Sequence, residues 1–335
     1  MRLPLAVPLC LLAVTAPGSM RAAATPVPAG EIKQGLFATC FADQRAGWMV
    51  GELGRIFHTT DGGRSWERQE AGTKRPFLTV ACVDARTAWI AGKEGIVYAT
   101  ADGGRTWTLR PTGSTRHLFG IRFAGRERGH AVGDYGTMIH TEDAGATWTV
   151  EPIADVVKLP DSAVDLGVDP GDVNLYAVAY GDAEHAWVVG EFGTIIATDD
   201  GGRSWRQQHA PVESTLFGVY FADARRGWAV GIDAVILRTE DGGETWLVQP
   251  PPIAQRSYYD VFVQGRTGWI VGDSGTMLAS TDGGATWSSE PLPIQMAARW
   301  IRSVWLTPEG AGLAVGAEGL VLRLEDGRLA ARSPS

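Results

Sequence analysis

Cysteine and histidine are scarce in this 335-residue chain, with three Cys and six His. So few thiols exclude a disulfide-dense scaffold, and no Cys-x-x-Cys pair is present. The patterns G-x-x-x-x-G-K-[ST], H-E-x-x-H and G-x-S-x-G are also missing, which removes the P-loop, zinc-protease and nucleophile-elbow readings. The histidines do not cluster along the chain. His58 and His140 fall at equivalent places in two copies of a repeat, where other copies hold Ala99, Ala197 and Arg238. That spread reads as exposed strand positions rather than ligands, so neither a metal site nor a cofactor is expected. An excess of basic charge is lacking: 30 Lys and Arg face 38 Asp and Glu, for a net charge of −8. A nucleic acid partner needs phosphate neutralisation and is not expected. Helical periodicity is absent throughout.

What is there begins with a leader. Arg2 precedes a mostly apolar run from Leu3 to Ala16, and Ala22-Ala23-Ala24 offers an A-x-A cleavage site. The run is too short for a stable membrane anchor. Val7-Pro8-Leu9 before Cys10 is a poor lipobox and lies too early. Residues 1–24 therefore read as a secretory signal, and no later stretch approaches the roughly 18 apolar residues of a span. Loss of Arg2 and Arg21 with the leader leaves 28 basic against 38 acidic residues, a net charge of −10. The mature chain keeps Cys40 and Cys82. Export permits a disulfide between them, but two buried free thiols are the expectation.

Glycine (43) and tryptophan (13) are abundant, and 44% of residues are apolar. That is enough for a packed core with many tight turns. Their spacing shows why. A Val-Gly or Ala-Gly glycine falls at 51, 92, 133, 190, 231, 272 and 316, mostly 41 residues apart. The tryptophan closing D-x-G-x-[ST]-W falls at 66, 107, 148, 205, 246 and 287. The seventh copy keeps only Glu325-Asp326-Gly327, with Leu329 near the tryptophan position. Each copy reads as four short strands; in the third they are 118–123, 130–133, 137–141 and 147–151. Four strands per repeat of about 40 residues predict a seven-bladed β-propeller, whereas a β-solenoid would fit a shorter repeat. The propeller spans 35–330, after an N-terminal segment at 25–34 that is expected to help close the ring. A short tail follows at 331–335.

The repeated element has a structural job. Asp61, Asp102, Asp143, Asp200, Asp241 and Asp282 are placed to accept backbone N–H bonds inside the turn between the third and fourth strands. Trp66, Trp107, Trp148, Trp205, Trp246 and Trp287 are expected to bury between blades. One step, from Gly133 to Gly190, is 16 residues longer than its neighbours. The excess, at about 152–172, carries three prolines and five aspartates and reads as a solvated or partner-binding loop. It lacks the ordered ligand spacing of a calcium loop.

With strands named a to d from the axis outward, the a–b and c–d turns share one face and the b–c and d–a connections the other. The second face varies more. Its b–c turns are mostly acidic, and its d–a connections carry Arg75, Arg116, Arg256 with Tyr258, and Arg299 with Trp300. Arginine and aromatic side chains are common interface anchors, so these six residues are the expected contacts for a protein partner of a monomeric chain. A sialidase-like sugar hydrolase is the enzymatic alternative, because such boxes also occur in sialidases. Arg122 and Arg302 sit in inner strands, but they come from blades three and seven, and a third inner arginine is missing. A sugar- or peptide-binding propeller is the other alternative.

The recurrent G-W-x-V-G-x-x-G-x-[IL]-x-x-[ST]-x-D-G-G-x-[ST]-W, as in Gly268 to Trp287, resembles the photosystem II stability and assembly factor family over residues 35–328. The resemblance implies an exported seven-bladed propeller with no enzymatic activity. It implies binding to an early reaction-centre intermediate that includes the precursor of the D1 subunit, in the thylakoid lumen or, in a non-phototroph, the periplasm. An arginine patch is implicated in the family, without a residue-by-residue match here. The third copy departs from the pattern, with His130 in place of the G-W tryptophan and Asp143-Ala144-Gly145 in its box. The expectation is a scaffold that assists assembly of a membrane complex.

Overall fold

Strands follow one another in simple up-and-down hairpins, because each short apolar run ends in a Gly- or Asp-bearing turn. In the computed structural model, which describes residues 32–307, 310–325 and 328–329, they form seven antiparallel sheets of four consecutive strands each. The innermost strands touch their neighbours around a closed ring, blade 7 against blade 1 included. In blade 3 the strands are Leu118–Phe123, Gly129–Gly133, Met138–Thr141 and Thr149–Val150. Blade 7 makes its own strand d at Arg328–Leu329, without a tryptophan. The leader and the tail lie outside the described residues. No helix among the described residues is long and apolar enough to cross a membrane.

The core sits between blades. Trp48, Trp89, Trp187, Trp228 and Trp269, on strand b of blades 1, 2, 4, 5 and 6, are at most 1% exposed, and removing one such side chain costs about 3–5 kcal/mol. Several donate across the seam: Trp89 Nε1 to Ala144 O at 2.8 Å, Trp187 Nε1 to Gly242 O at 3.0 Å and Trp228 Nε1 to Gly284 O at 3.0 Å. A glutamine at the end of strand d adds a second link. Gln208 Nε2 donates to Gly242 O, and Gln208 Oε1 accepts from Trp246 Nε1 of the next blade. Gln69 and Gln249 do the same at their seams. Ile32 packs with Leu313 and Val315 of blade 7 and Leu36 of blade 1.

Each box is a closed hydrogen-bond unit. Asp61 Oδ1 accepts from Ser65 N (3.0 Å) and Thr59 Oγ1 (2.8 Å), and Oδ2 accepts from Ser65 Oγ (2.7 Å). The same set recurs around Asp102, Asp143, Asp200, Asp241 and Asp282. The box turn is held to its a–b turn, as where Gly62 N donates to Arg45 O.

Two expectations are corrected. Cys40 of blade 1 and Cys82 of blade 2 are joined in a disulfide with a Cα–Cα distance of 6.1 Å, not kept as free thiols. The ring sets inner strands one repeat apart side by side, and that brings the two residues within bonding reach. The segment at 152–172 is not simply a solvated loop. It contains a short helix, Asp161–Asp165, and buries Ile153, Val157 and Ala163, the first two within a cluster shared by blades 3 and 4. Its Ser162 Oγ donates to Glu213 Oε2 at 2.7 Å, across the edge of blade 4.

Candidate functional site

Every strand a begins with a β-bulge, seen as a register shift between its first and third residues against strand b. A bulge leaves one residue out of the ladder and re-aims its side chain. That second residue is Phe37, Leu78, Phe119, Tyr176, Phe217, Tyr259 and Arg302 in blades 1 to 7. Because strand a starts at the d–a connection, these seven stand at the axial opening on the variable face, all half-buried. They form a collar. Phe119 stacks on Tyr176 with centroids 5.4 Å apart, Tyr176 meets Phe217 at 5.0 Å, and Phe217 meets Tyr259 at 5.7 Å. The Arg302 guanidinium lies 4.8 Å over the Tyr259 ring.

Charge runs down the axis from this collar. Asp260, one residue deeper, accepts from Val304 N at 3.0 Å across the blade seam and feels both Arg122 and Arg302. Enclosure raises the Asp260 pKa above the usual carboxylate range, against the pull of its N–H donors and Arg122. Arg122 and Arg302 are lowered by the same enclosure, opposed by Asp260. Arg122 keeps side-chain surface open to the channel although strands surround it, and it donates to Ile121 O at 2.9 Å. It stands toward the box end of the channel, in a cavity of about 220 Å³ lined from all seven blades. Burial, then Glu191, pushes the Tyr176 phenol up to about 12. Arg122 and Arg302, although on blades three and seven, thus both lie in the field of one carboxylate, Asp260. The aromatic column was legible once the seven strand-a segments are aligned; the bulge that aims it was not.

The expected surface arginines are distributed around the ring, each tied to the b–c turn of its own blade. Arg75 Nε lies 2.7 Å from Glu94 Oε2, Arg256 Nε 4.0 Å from Asp273 Oδ1, and Arg299 Nη2 2.8 Å from Glu318 Oε2. Arg116 instead lies 4.2 Å over the Tyr135 ring. Trp300 stacks on Phe37 at 5.6 Å and so extends the collar. Tyr258 is a correction. As the first residue of its strand it is fully buried, and its hydroxyl donates to Ile253 O at 2.7 Å, so it cannot meet a partner. The reading of His58 and His140 as exposed is corrected too. His58 is 8% exposed and stacks on Trp48 at 4.6 Å, while His140 gathers with His130 and Glu151.

Residues 28–112, 159–246 and 203–327 match the family described as photosynthesis system II assembly factor YCF48. The chain belongs to this family. No curated protein matches it. Among solved structures it is similar to YCF48 bound to D1 peptide, at 21% identity and TM-score 0.68, with 88% of this chain and 94% of that one covered. It is similar to YCF48 from Cyanidioschyzon merolae at 21% identity and TM-score 0.70, covering 90% and 98%. A GH74 xyloglucanase from Xanthomonas campestris shares the fold at 12% identity and TM-score 0.68, with 90% of this chain and 53% of that one covered. At these identities the likeness speaks for the propeller fold, and the family match carries the membership.

Proposed function

We propose that this chain is a non-enzymatic, exported propeller that holds a segment of a partner protein at the collared mouth of its channel. In this role it assists assembly of a membrane protein complex, as a monomer in the periplasm or thylakoid lumen. The observation that carries the reading is one ring, on one face, in which five half-buried aromatics stand together with a half-buried arginine, Arg302. Aromatic faces take apolar and backbone surface, and a partly desolvated arginine takes a carboxylate. The d–a arginines, though paired, lie on the same face and extend its reach. Family membership and the D1 peptide carried by a structural neighbour point the same way. The axial Asp260 sits among arginine and N–H donors rather than beside a second carboxylate acting on it, which does not suit glycoside hydrolysis.

The test is co-purification from the native membrane fraction. Arg302→Glu with Tyr259→Ala should abolish recovery of the partner, and charge reversal at Arg75, Arg116, Arg256 and Arg299 should weaken it, with thermal unfolding preserved. Undiminished recovery with the collar variant sinks the site. Turnover of a fluorogenic glycoside that disappears in Asp260→Asn would overturn the non-enzymatic reading.

A further inference from the structure

The seam between blades 3 and 4 departs from the others in chemistry. Where most blades place a strand-b tryptophan, blade 3 has His130, 3% exposed. Where blades 1, 4 and 5 end strand d with a bridging glutamine, blade 3 has Glu151. His140, on strand c, pairs directly opposite His130 in the ladder, which sets the two side chains on one face. Both departures fall at residues 113–158, outside the segments that match the family.

The three side chains converge. Glu151 Oε1 lies 3.2 Å from His130 Nε2 and 2.5 Å from His140 Nδ1, and all three ligand atoms lie within 4.8 Å of one another. The approach of His140 lacks hydrogen-bond geometry: its Nδ1 and Glu151 Oε2 are buried with no hydrogen-bond partner among the described residues. Trp205 Nε1, which a glutamine would satisfy at other seams, is likewise unpaired. A buried carboxylate oxygen without a donor is costly. His130 Nε2 is in hydrogen-bond contact with Glu151 Oε1, while His140 Nδ1 crowds the same oxygen unbonded and Oε2 has no donor, an arrangement a cation resolves.

The geometry points to a transition-metal site, with His130 Nε2, His140 Nδ1 and Glu151 as ligands for Zn²⁺ or a similar divalent ion. Two imidazoles and one carboxylate are a borderline donor set suited to zinc and its neighbours rather than to calcium or magnesium. Tetrahedral zinc at its usual 2.0–2.1 Å ligand distances separates its ligands by about 3.3 Å. That lies between the 2.5 Å and 4.8 Å spanned here. His130 Nδ1 faces the Tyr180 hydroxyl at 2.5 Å. A metal on Nε2 sets the tautomer in which Nδ1–H donates to that oxygen, a common outer support for a histidine ligand. Arg128, which lines the same cavity, turns its guanidinium to Ala183 O (3.0 Å) and Glu184 Oε1 (3.4 Å). The cavity, about 330 Å³, reaches the cluster from the rim between Glu142, Pro152 and the blade 4 box. The fourth position therefore opens to solvent or a small ligand. The ion would join strands b, c and d of blade 3 at the seam where the tryptophan and glutamine links are missing.

The experiment is calorimetric titration of the untagged, chelator-stripped full chain with Zn²⁺. One equivalent should bind and raise the unfolding temperature. His140→Ala, where the ring is already 30% exposed, and Glu151→Gln should each weaken binding at least about tenfold. His58→Ala, at the matching place in blade 1, should leave it unchanged. Cobalt substitution of the wild-type chain gives a readout independent of any variant. Intense visible d–d bands of a four- or five-coordinate ion are expected. The weak spectrum of hydrated Co²⁺, no saturable zinc binding, or equal affinity in a folded His140→Ala protein would overturn the assignment.

Discussion

At the scale of single residues, His58 shows how burial converts a titratable group into a pH-dependent stability contribution. It lies against Trp48, and its burial lowers its pKa from 6.5 to about 4. A depressed folded pKa means the unfolded chain takes up the proton first. The stabilisation is therefore whole above pH 6.5 and is lost as pH falls toward about 4, with a slope of at most about 1.4 kcal/mol per pH unit. The box aspartates act lower. Burial works against Asp61, but hydrogen bonds from Ser65 and Thr59 outweigh it and hold the carboxyl at about 2. Asp282, held chiefly by the Thr286 hydroxyl and N–H, also lies at about 2. Their contribution stays whole above about pH 4 and fades between there and pH 2. His58→Phe keeps an aromatic ring against Trp48 and removes the proton. Urea midpoints measured from pH 7 to pH 4 should fall less steeply in this variant than in the wild type. Parallel curves would show that His58 does not titrate in this window.

Among elements, the b–c turn repeats most faithfully, and its one irregularity can be tested. In six blades the third turn residue is a glycine in the left-handed region, as Gly54 at φ 68°. A Cβ there would stand 2.2 Å from Thr73 O of the d–a connection. Blade 5 has Ala234 instead, at φ 59°. An L-residue in this region costs about 1–2 kcal/mol, partly offset because glycine is freer when unfolded. Ala234→Gly should therefore stabilise the chain by about 1 kcal/mol in chemical denaturation, and a loss of stability would show that the turn carries no strain. This turn also explains what was legible in the chain. Its glycines recur at a near-constant interval because every blade must bring backbone this close to the connection that follows it, so blade number and strand order follow from the interval. The collar rests on bulges that leave no composition signal. Tyr258 and Tyr259 are adjacent tyrosines, yet one enters the core and the other the channel mouth. The His130–His140 cluster needed the strand register, since ten residues across a hairpin become direct neighbours only once the b–c turn is counted. The helix at Asp161–Asp165 was obscured by surrounding prolines and acids.

For the whole molecule, the ring has one seam that the chain does not cross, between blades 7 and 1. Blade 7 completes all four strands from its own repeat, and among the described residues no exchanged strand clamps the ends. The seam is held by packing, with Phe41 stacked on Trp305 at 4.7 Å and Ile32 against Leu313 and Val315. A ring of repeats is stabilised by neighbour interfaces, so blade 1, free of a covalent link on its blade 7 side, is the place where opening begins. The Cys40–Cys82 disulfide ties that blade to blade 2 across 42 residues of chain. Loop-closure entropy for such a length is about 4 kcal/mol as an upper figure, with about 2–4 kcal/mol typical. The Cys40→Ser, Cys82→Ser double variant should lose that much in urea unfolding while keeping the propeller's circular dichroism. Reductant should bring the wild type to the same midpoint and leave the variant unmoved. If the loss comes from local packing rather than the cross-link, the reduced wild type will stay more stable than the double variant. Amide exchange in Leu36–Phe41 separates the two cases further. Reduction should speed exchange there first, because an opening seam frees the innermost strand of blade 1 before any other.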